Sequence, residues 1–307
     1  MISALLALLA SAAFGASDFI AAITSRRISP VAVALWSQLA GAAALLVALT
    51  LSGQRPEVSG IAWGAGSGVV AAVGVLLFYR ALAIGPTSVV SPVAASGVAI
   101  PVLVGVFGGE LPSAVVVVGL LAAVGGLAIV SLVNSEDPMG VTQPCPGRKP
   151  LLERNVPTRA AGLGNPRRVV PLALLSALCF GLFFVLLDRG TAAADASVLW
   201  VALGVDAGAI PTTGGIALFS RRPGGLRLPP VGLLVPISLV GVVGVCGDVS
   251  LAYATTYGQL GVVSVLASLD MMVTVILARF LLGECLLRLQ LAGVVLSVVG
   301  VLLISAG

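Results

Sequence analysis

Two stretches of this chain, 75–133 and 248–307, are drafts of the same text, and both are almost wholly apolar. Ala81, Gly85 and the triplet Val89-Val90-Ser91 return 173 positions later as Ala254, Gly258 and Val262-Val263-Ser264. After one residue of slippage, Gly109-Glu110 returns as Gly283-Glu284, Gly119 as Gly293 and Gly126 as Gly300. Upstream, a fainter echo pairs Phe14-Gly15 with Phe180-Gly181 and Trp36 with Trp200. A duplicated unit this apolar buries its surface in its twin and in lipid, because water leaves it nowhere else to go.

The chain is 59% hydrophobic and 9% charged over 307 residues, with a mean hydropathy of +1.16. That is the composition of a chain whose solvent is the bilayer. An apolar helix needs about 20 residues to cross the hydrocarbon. Between breakers such as Ser29-Pro30, Gly85-Pro86, Leu111-Pro112 and Gly258, ten spans of that order are predicted: 2–23, 31–52, 60–83, 87–108, 112–133, 169–187, 196–219, 231–256, 260–282 and 286–306. The fold class expected is therefore an all-α polytopic membrane protein of ten transmembrane helices. Residues 134–168, rich in Pro, Gly and charge and without periodicity, read as a flexible linker between a first unit, 1–133, and a second, 169–307. Five is odd, so the second unit enters the membrane upside down, giving an inverted repeat of two five-helix units.

The net charge of +4 matters less than its placement. Fourteen of the sixteen basic residues fall beside the ends of odd-numbered spans, and only Arg55 and Arg189 fall on the opposite side. The positive-inside rule then puts the linker in the cytoplasm, both termini outside, and the chain in the plasma (inner) membrane. No basic residue precedes the first apolar run, so a retained first helix is expected rather than a cleaved leader, although Ser11-Ala12-Ala13 is small enough for cleavage. No basic run with interleaved aromatics suggests nucleic acid. The chain has no His, and its four Cys form no CxxC pair, so neither a metal nor a cofactor is expected. No Walker motif is present to supply ATP drive.

Small residues mark helix contacts: Gly60, Gly64 and Gly68 in the third span, and Gly241, Gly244 and Gly247 in the eighth. Four of the twelve acids, Asp18, Asp206, Asp248 and Asp270, lie inside spans, with Asp206 and Asp270 near the middle of theirs. A carboxylate at that depth costs several kcal/mol unless it is paired, protonated or facing water. No Lys or Arg lies at matching depth. These acids are candidates for a proton pathway or for the counter-charge of a cationic substrate. Equally, each serves as a structural carboxylic acid bonded to a nearby carbonyl. Trp36 and Trp200 flank a central cavity or belong to an interfacial belt, and Gln38 adds hydrogen-bonding capacity beside Trp36. Tyr253, Ser91 and Pro92 complete the set, since a mid-helix Pro frees a carbonyl toward a pathway or simply bends the helix. Glu110 and Glu284, each after a Gly at a span end, are expected to cap or bridge rather than to bind.

Each half resembles the EamA-type unit of the drug/metabolite transporter superfamily. The resemblance rests on Ala81-Leu82, Gly85, Pro92, Pro101, Gly109-Glu110, Gly119 and Gly126, and in the second copy on Ala254, Ser268-Leu269, Gly283-Glu284, Gly293 and Gly300. It implies ten helices, an inverted repeat and uptake or efflux of small metabolites. In place of the family's usual aromatic-Pro pair, this chain has Asp270-Met271, and in place of a common Arg it has Leu35-Trp36-Ser37. The function expected is a secondary carrier of a small polar or cationic metabolite, coupled to protons. A polytopic enzyme acting on lipid would want a His or clustered carboxylates at one interface. A channel or scaffold is the other alternative.

Overall fold

A computed structural model describes residues 2–25, 27–84, 93–94, 96–109, 113–133, 166–193, 197–219, 228–282 and 288–306. Nearly all of them are helical, and no strand occurs among them. The helices are α1 (Ile2–Thr24), α2 (Pro30–Ser52), α3 (Val58–Ile84), α4 (Ala99–Phe107, led by a 3-10 turn at Ser96–Val98), α5 (Ala114–Val133), α6 (Pro166–Ala193), α7 (Val198–Phe219), α8 (Val231–Tyr257), α9 (Leu260–Ala267), α10 (Asp270–Leu282) and α11 (Arg288–Ala306). Of the expected site residues, Ser91, Pro92, Glu110, Gly283 and Glu284 lie outside the described residues, as does 134–165 of the linker.

Local chemistry explains the boundaries. At α2, the Ser29 side chain accepts from the Ala32 N–H, Pro30 supplies a preset φ in the first turn, and Gly53 closes the helix at φ 62° with its N–H on the Leu49 carbonyl. Among the described residues, six helices are long and apolar enough to cross a membrane. Their outward faces bear large apolar side chains, with Leu51 and Val231 both 83% exposed. Such surfaces are tolerable only against lipid. The chain is a polytopic membrane protein.

One expected element is corrected. The single span over 260–282 is two helices, α9 and α10, separated by a tight turn at Ser268–Leu269. The turn closes with Ser268 N–H on Ser264 O at 3.0 Å and Leu269 N–H on Leu266 O at 3.4 Å. A 3-10 turn at Ser96–Val98 leads directly into α4. A broken helix at membrane depth survives only where protein or a cavity, not lipid, meets its loosened backbone.

Packing runs between the halves far more than within them. The most extensive pairs are α5 with α11, α3 with α7, α3 with α6, and α1 with α8. Glycines make the close approaches. Gly64 and Gly68 of α3 lie against the carbonyls of Val201 and Val205 in α7, and Gly204 and Gly208 of α7 return the contact onto Ile61 and Ala65. The Gly row of α8 divides its work: Gly241 meets the Ser37 carbonyl of α2, whereas Gly247 meets the Phe14 ring of α1. On Gly300 of α11 a methyl group would come within 2.6 Å of the Gly119 carbonyl of α5.

Candidate central acidic site

The segment 240–248 of α8 sets the level at which the acids gather. Ser17 of α1 donates to the Val240 carbonyl at 3.0 Å, so Asp18, the next residue, lies at that level. On the other side, Gly41 of α2 sits in the crossing with Gly241 and Val245. A methyl group there would stand 3.5 Å from Asp206 Oδ2 of α7. Asp248 is one turn beyond Val245, on the face of α8 that meets Gly41. The Asp270 backbone, at the start of α10, abuts Gly15: a methyl there would meet the Asp270 carbonyl at 2.5 Å, and Thr274 Oγ1 donates to the Gly15 carbonyl at 3.0 Å. All four acids thus fall within about 12 Å of helix axis, eight residues at 1.5 Å each.

Their surroundings differ. Asp18 is exposed. A carboxylate that is deep yet accessible lines a recess, because lipid would not tolerate it. Asp206 is 6% exposed, and Asp248 and Asp270 are half-buried. Asp270 is not mid-helix, as the spacing predicts, but the first residue of α10, where an acid complements the helix N-terminus. Gln38 Oε1, Gln54 Oε1, Trp200 Nε1 and Asp206 Oδ2 are buried polar atoms with no hydrogen-bond partner among the described residues. Sequence reasoning singled out three of these four residues; it missed Gln54, in the loop after α2.

Trp36 lies in α2 and Trp200 near the start of α7; Gly241 sits on Ser37 and Gly41, while Gly68 sits on Val205 and Ala209. Trp36 and Trp200 are both half-buried, and Tyr253 packs against the main apolar cluster. Gly109 takes φ 93° just past α4, which only Gly adopts without strain. A cavity of about 410 Å³ opens between α1, α8 and α10, lined by apolar residues such as Phe19, Leu233 and Leu277 and by Arg27, with none of the four acids in its lining. No group of three or more metal-ligating side chains occurs among the described residues.

The EamA-like transporter family matches residues 1–132 and 167–306. The chain belongs to that family. No curated protein matches it. A solved structure titled "Crystal structure of protein" has a TM-score of 0.71 at 16% identity, covering 99% of this chain and 96% of that one. That likeness shows a shared fold. Membership of EamA makes this a membrane transporter of the drug/metabolite type, with a small-molecule substrate and a lipid environment.

Proposed function

We propose that the chain is a secondary carrier that moves a small polar or cationic metabolite across the plasma membrane, driven by protons. Its units are two five-helix halves, 1–133 and 169–307, in inverted-repeat topology, joined by a cytoplasmic linker at 134–168, with both termini outside. Matching contacts support the repeat. Gly15 lies against Asp270 and Val273, and Gly181 lies against Gly97 and Ile100, which is the same pair of sites 173 positions earlier. Phe14 fills Gly247, and Phe180 fills Gly74. Ser17 bonds to the Val240 carbonyl at 3.0 Å, and at the matching place Ser67 bonds to the Phe183 carbonyl at 3.1 Å.

The observation that carries the functional reading is Asp18, deep and accessible at the level of three other acids. An acidic recess at one depth favours positive or hydrogen-bond-donating solutes. The match is chemically lopsided, which suits a site that orients its solute. Where one half has Asp18 and Asp270, the other has Phe184 and Gly97, beside the packed rings of Phe183 and Phe184 at 5.4 Å. Alternating access then means rocking one half against the other around this level.

Counterflow tests the proposal. Purified protein in liposomes preloaded with a candidate amine should accumulate labelled substrate transiently and saturably, faster with an inward proton gradient. Uptake that is linear in concentration, with no counterflow, would point to a channel. Turnover of lipid would point to an enzyme.

A further inference from the structure

We propose that Asp206 and Asp248 form a site for one monovalent cation, a proton or a sodium ion, where α7 and α8 meet α2. The site rests on the carrier reading, since it is the place where such a carrier would draw on a cation gradient, and it is separate from the accessible recess at Asp18. Asp206 is 6% exposed, and its Oδ2 has no hydrogen-bond partner among the described residues. That oxygen points at the crossing of α2 and α8, 3.5 Å from where a Gly41 methyl would stand. Asp248, seven residues after Gly241 and three after Val245, lies on the same face of α8 that meets Gly41 and so turns toward the same crossing. The seam is closed toward one end by Leu45, Ala202 and Val245, one from each helix.

Two ionised carboxylates at one helix crossing repel each other, and neither has an ion-pair partner among the described residues. One cation between them removes the repulsion and satisfies the orphan oxygen. The chemistry of the neighbourhood is one-signed. Gln38, one turn before Gly41, offers a further buried carbonyl oxygen without a partner. These are acceptors, which suit a proton or a hard cation and no anion. A divalent ion would ask for six or more oxygens, and no cluster of three metal-ligating side chains occurs among the described residues.

The other ionisable groups on the packed helices leave this pair to itself. Helix α2 carries none. Helix α1 brings Asp18, and α8 adds Cys246, Tyr253 and Tyr257. Helix α3 brings Tyr79 and Arg80. Since Gly68 marks the level of Asp206, Arg80 stands twelve residues off, about 18 Å along the axis. Helix α6 brings Arg167 and Arg168 in its first turn, Cys179, Asp188, and Arg189, which is exposed.

The test uses purified, substrate-free full chain in detergent. Infrared spectra would be compared for the wild type, Asp206→Asn and Asp248→Asn, together with melting curves in NaCl and in KCl. A proton site predicts a protonated-carboxyl stretch in the wild type that Asp206→Asn removes, with melting indifferent to the choice of salt. A sodium site predicts melting raised by NaCl over KCl in a saturable way, with the response lost in either variant. Spectra and salt responses that are the same in all three proteins overturn the proposal. Should Asp206→Asn fail to fold, Asp248→Asn alone still reads both signals. Because no substrate is present, a negative result here leaves counterflow untouched, and absent counterflow leaves cation binding to be read on its own.

Discussion

At Gly68 there is no space for a single added carbon, because the Val205 carbonyl of α7 occupies it. Gly68→Ala must push α3 off α7, and overpacking of this kind costs about 1–3 kcal/mol. The control is Gly215, also in a helix, with nothing within 4 Å of its missing methyl. Gly215→Ala should hold or slightly raise stability through helix propensity. Melting of the two purified variants decides it, and equal losses would mean that the α3–α7 seam is not as close as described. The acids act at the same scale. Asp18 is the most exposed of the four, so Asp18→Asn should lower kcat/KM for a cationic substrate by roughly ten- to a hundredfold, the worth of one charged hydrogen bond of about 1.5–3 kcal/mol. A neutral substrate should barely notice. Flux of both kinds of solute in proteoliposomes is the measurement, and equal effects on both would remove Asp18 from substrate binding.

Helix pairs test the equivalence of the halves more sharply than single sites do. Ser17 ties α1 to α8, and Ser67 ties α3 to α6, by bonds of 3.0 and 3.1 Å at matching places. The donor has changed sides between them, while the crossing has not. Interhelical bonds in membranes average about 0.6 kcal/mol, so Ser17→Ala and Ser67→Ala should each cost about that much, and the double variant should cost the sum. A large loss in one and none in the other would break the equivalence. This scale also shows what could be read in advance. The echo of Phe14-Gly15 in Phe180-Gly181 was legible in the sequence, but what each touches was not: Gly15 lies against Asp270 and Val273, and Gly181 against Gly97 and Ile100. The break before Asp270 was illegible, because Ser268-Leu269 contains neither Gly nor Pro and hydropathy runs through it unchanged. Only the backbone shows that the acid begins a helix. The closeness of Asp206 to Asp248 was equally invisible, since it depends on how α7 and α8 lean around Gly41.

Orientation belongs to the whole molecule, and basic residues argue it together rather than singly. Each Lys or Arg near a membrane surface biases the topology slightly, and here fourteen of sixteen pull the same way if the chain crosses ten times. One crossing more or fewer in the first half would scatter them across both faces. The proposed inverted topology would account at once for the bias, for an odd number of spans per half and for the paired contacts. In that topology the turn after α2 is outside, and Cys145 is inside with the linker. With Cys179, Cys246 and Cys285 replaced by Ala, two thiols suffice to test it: native Cys145, and Ser52→Cys at the exposed end of α2. In intact cells a membrane-impermeant maleimide should label Ser52→Cys at once and Cys145 only after permeabilisation. The reverse pattern would turn the molecule over, leaving the repeat and the acidic level intact but exchanging the side from which a proton enters. Labelling of both in intact cells would be worse, because an even number of crossings must separate two residues on one face. Spans 3, 4 and 5 lie between them, and three is odd. That outcome would remove a helix from the first half and with it the inverted topology.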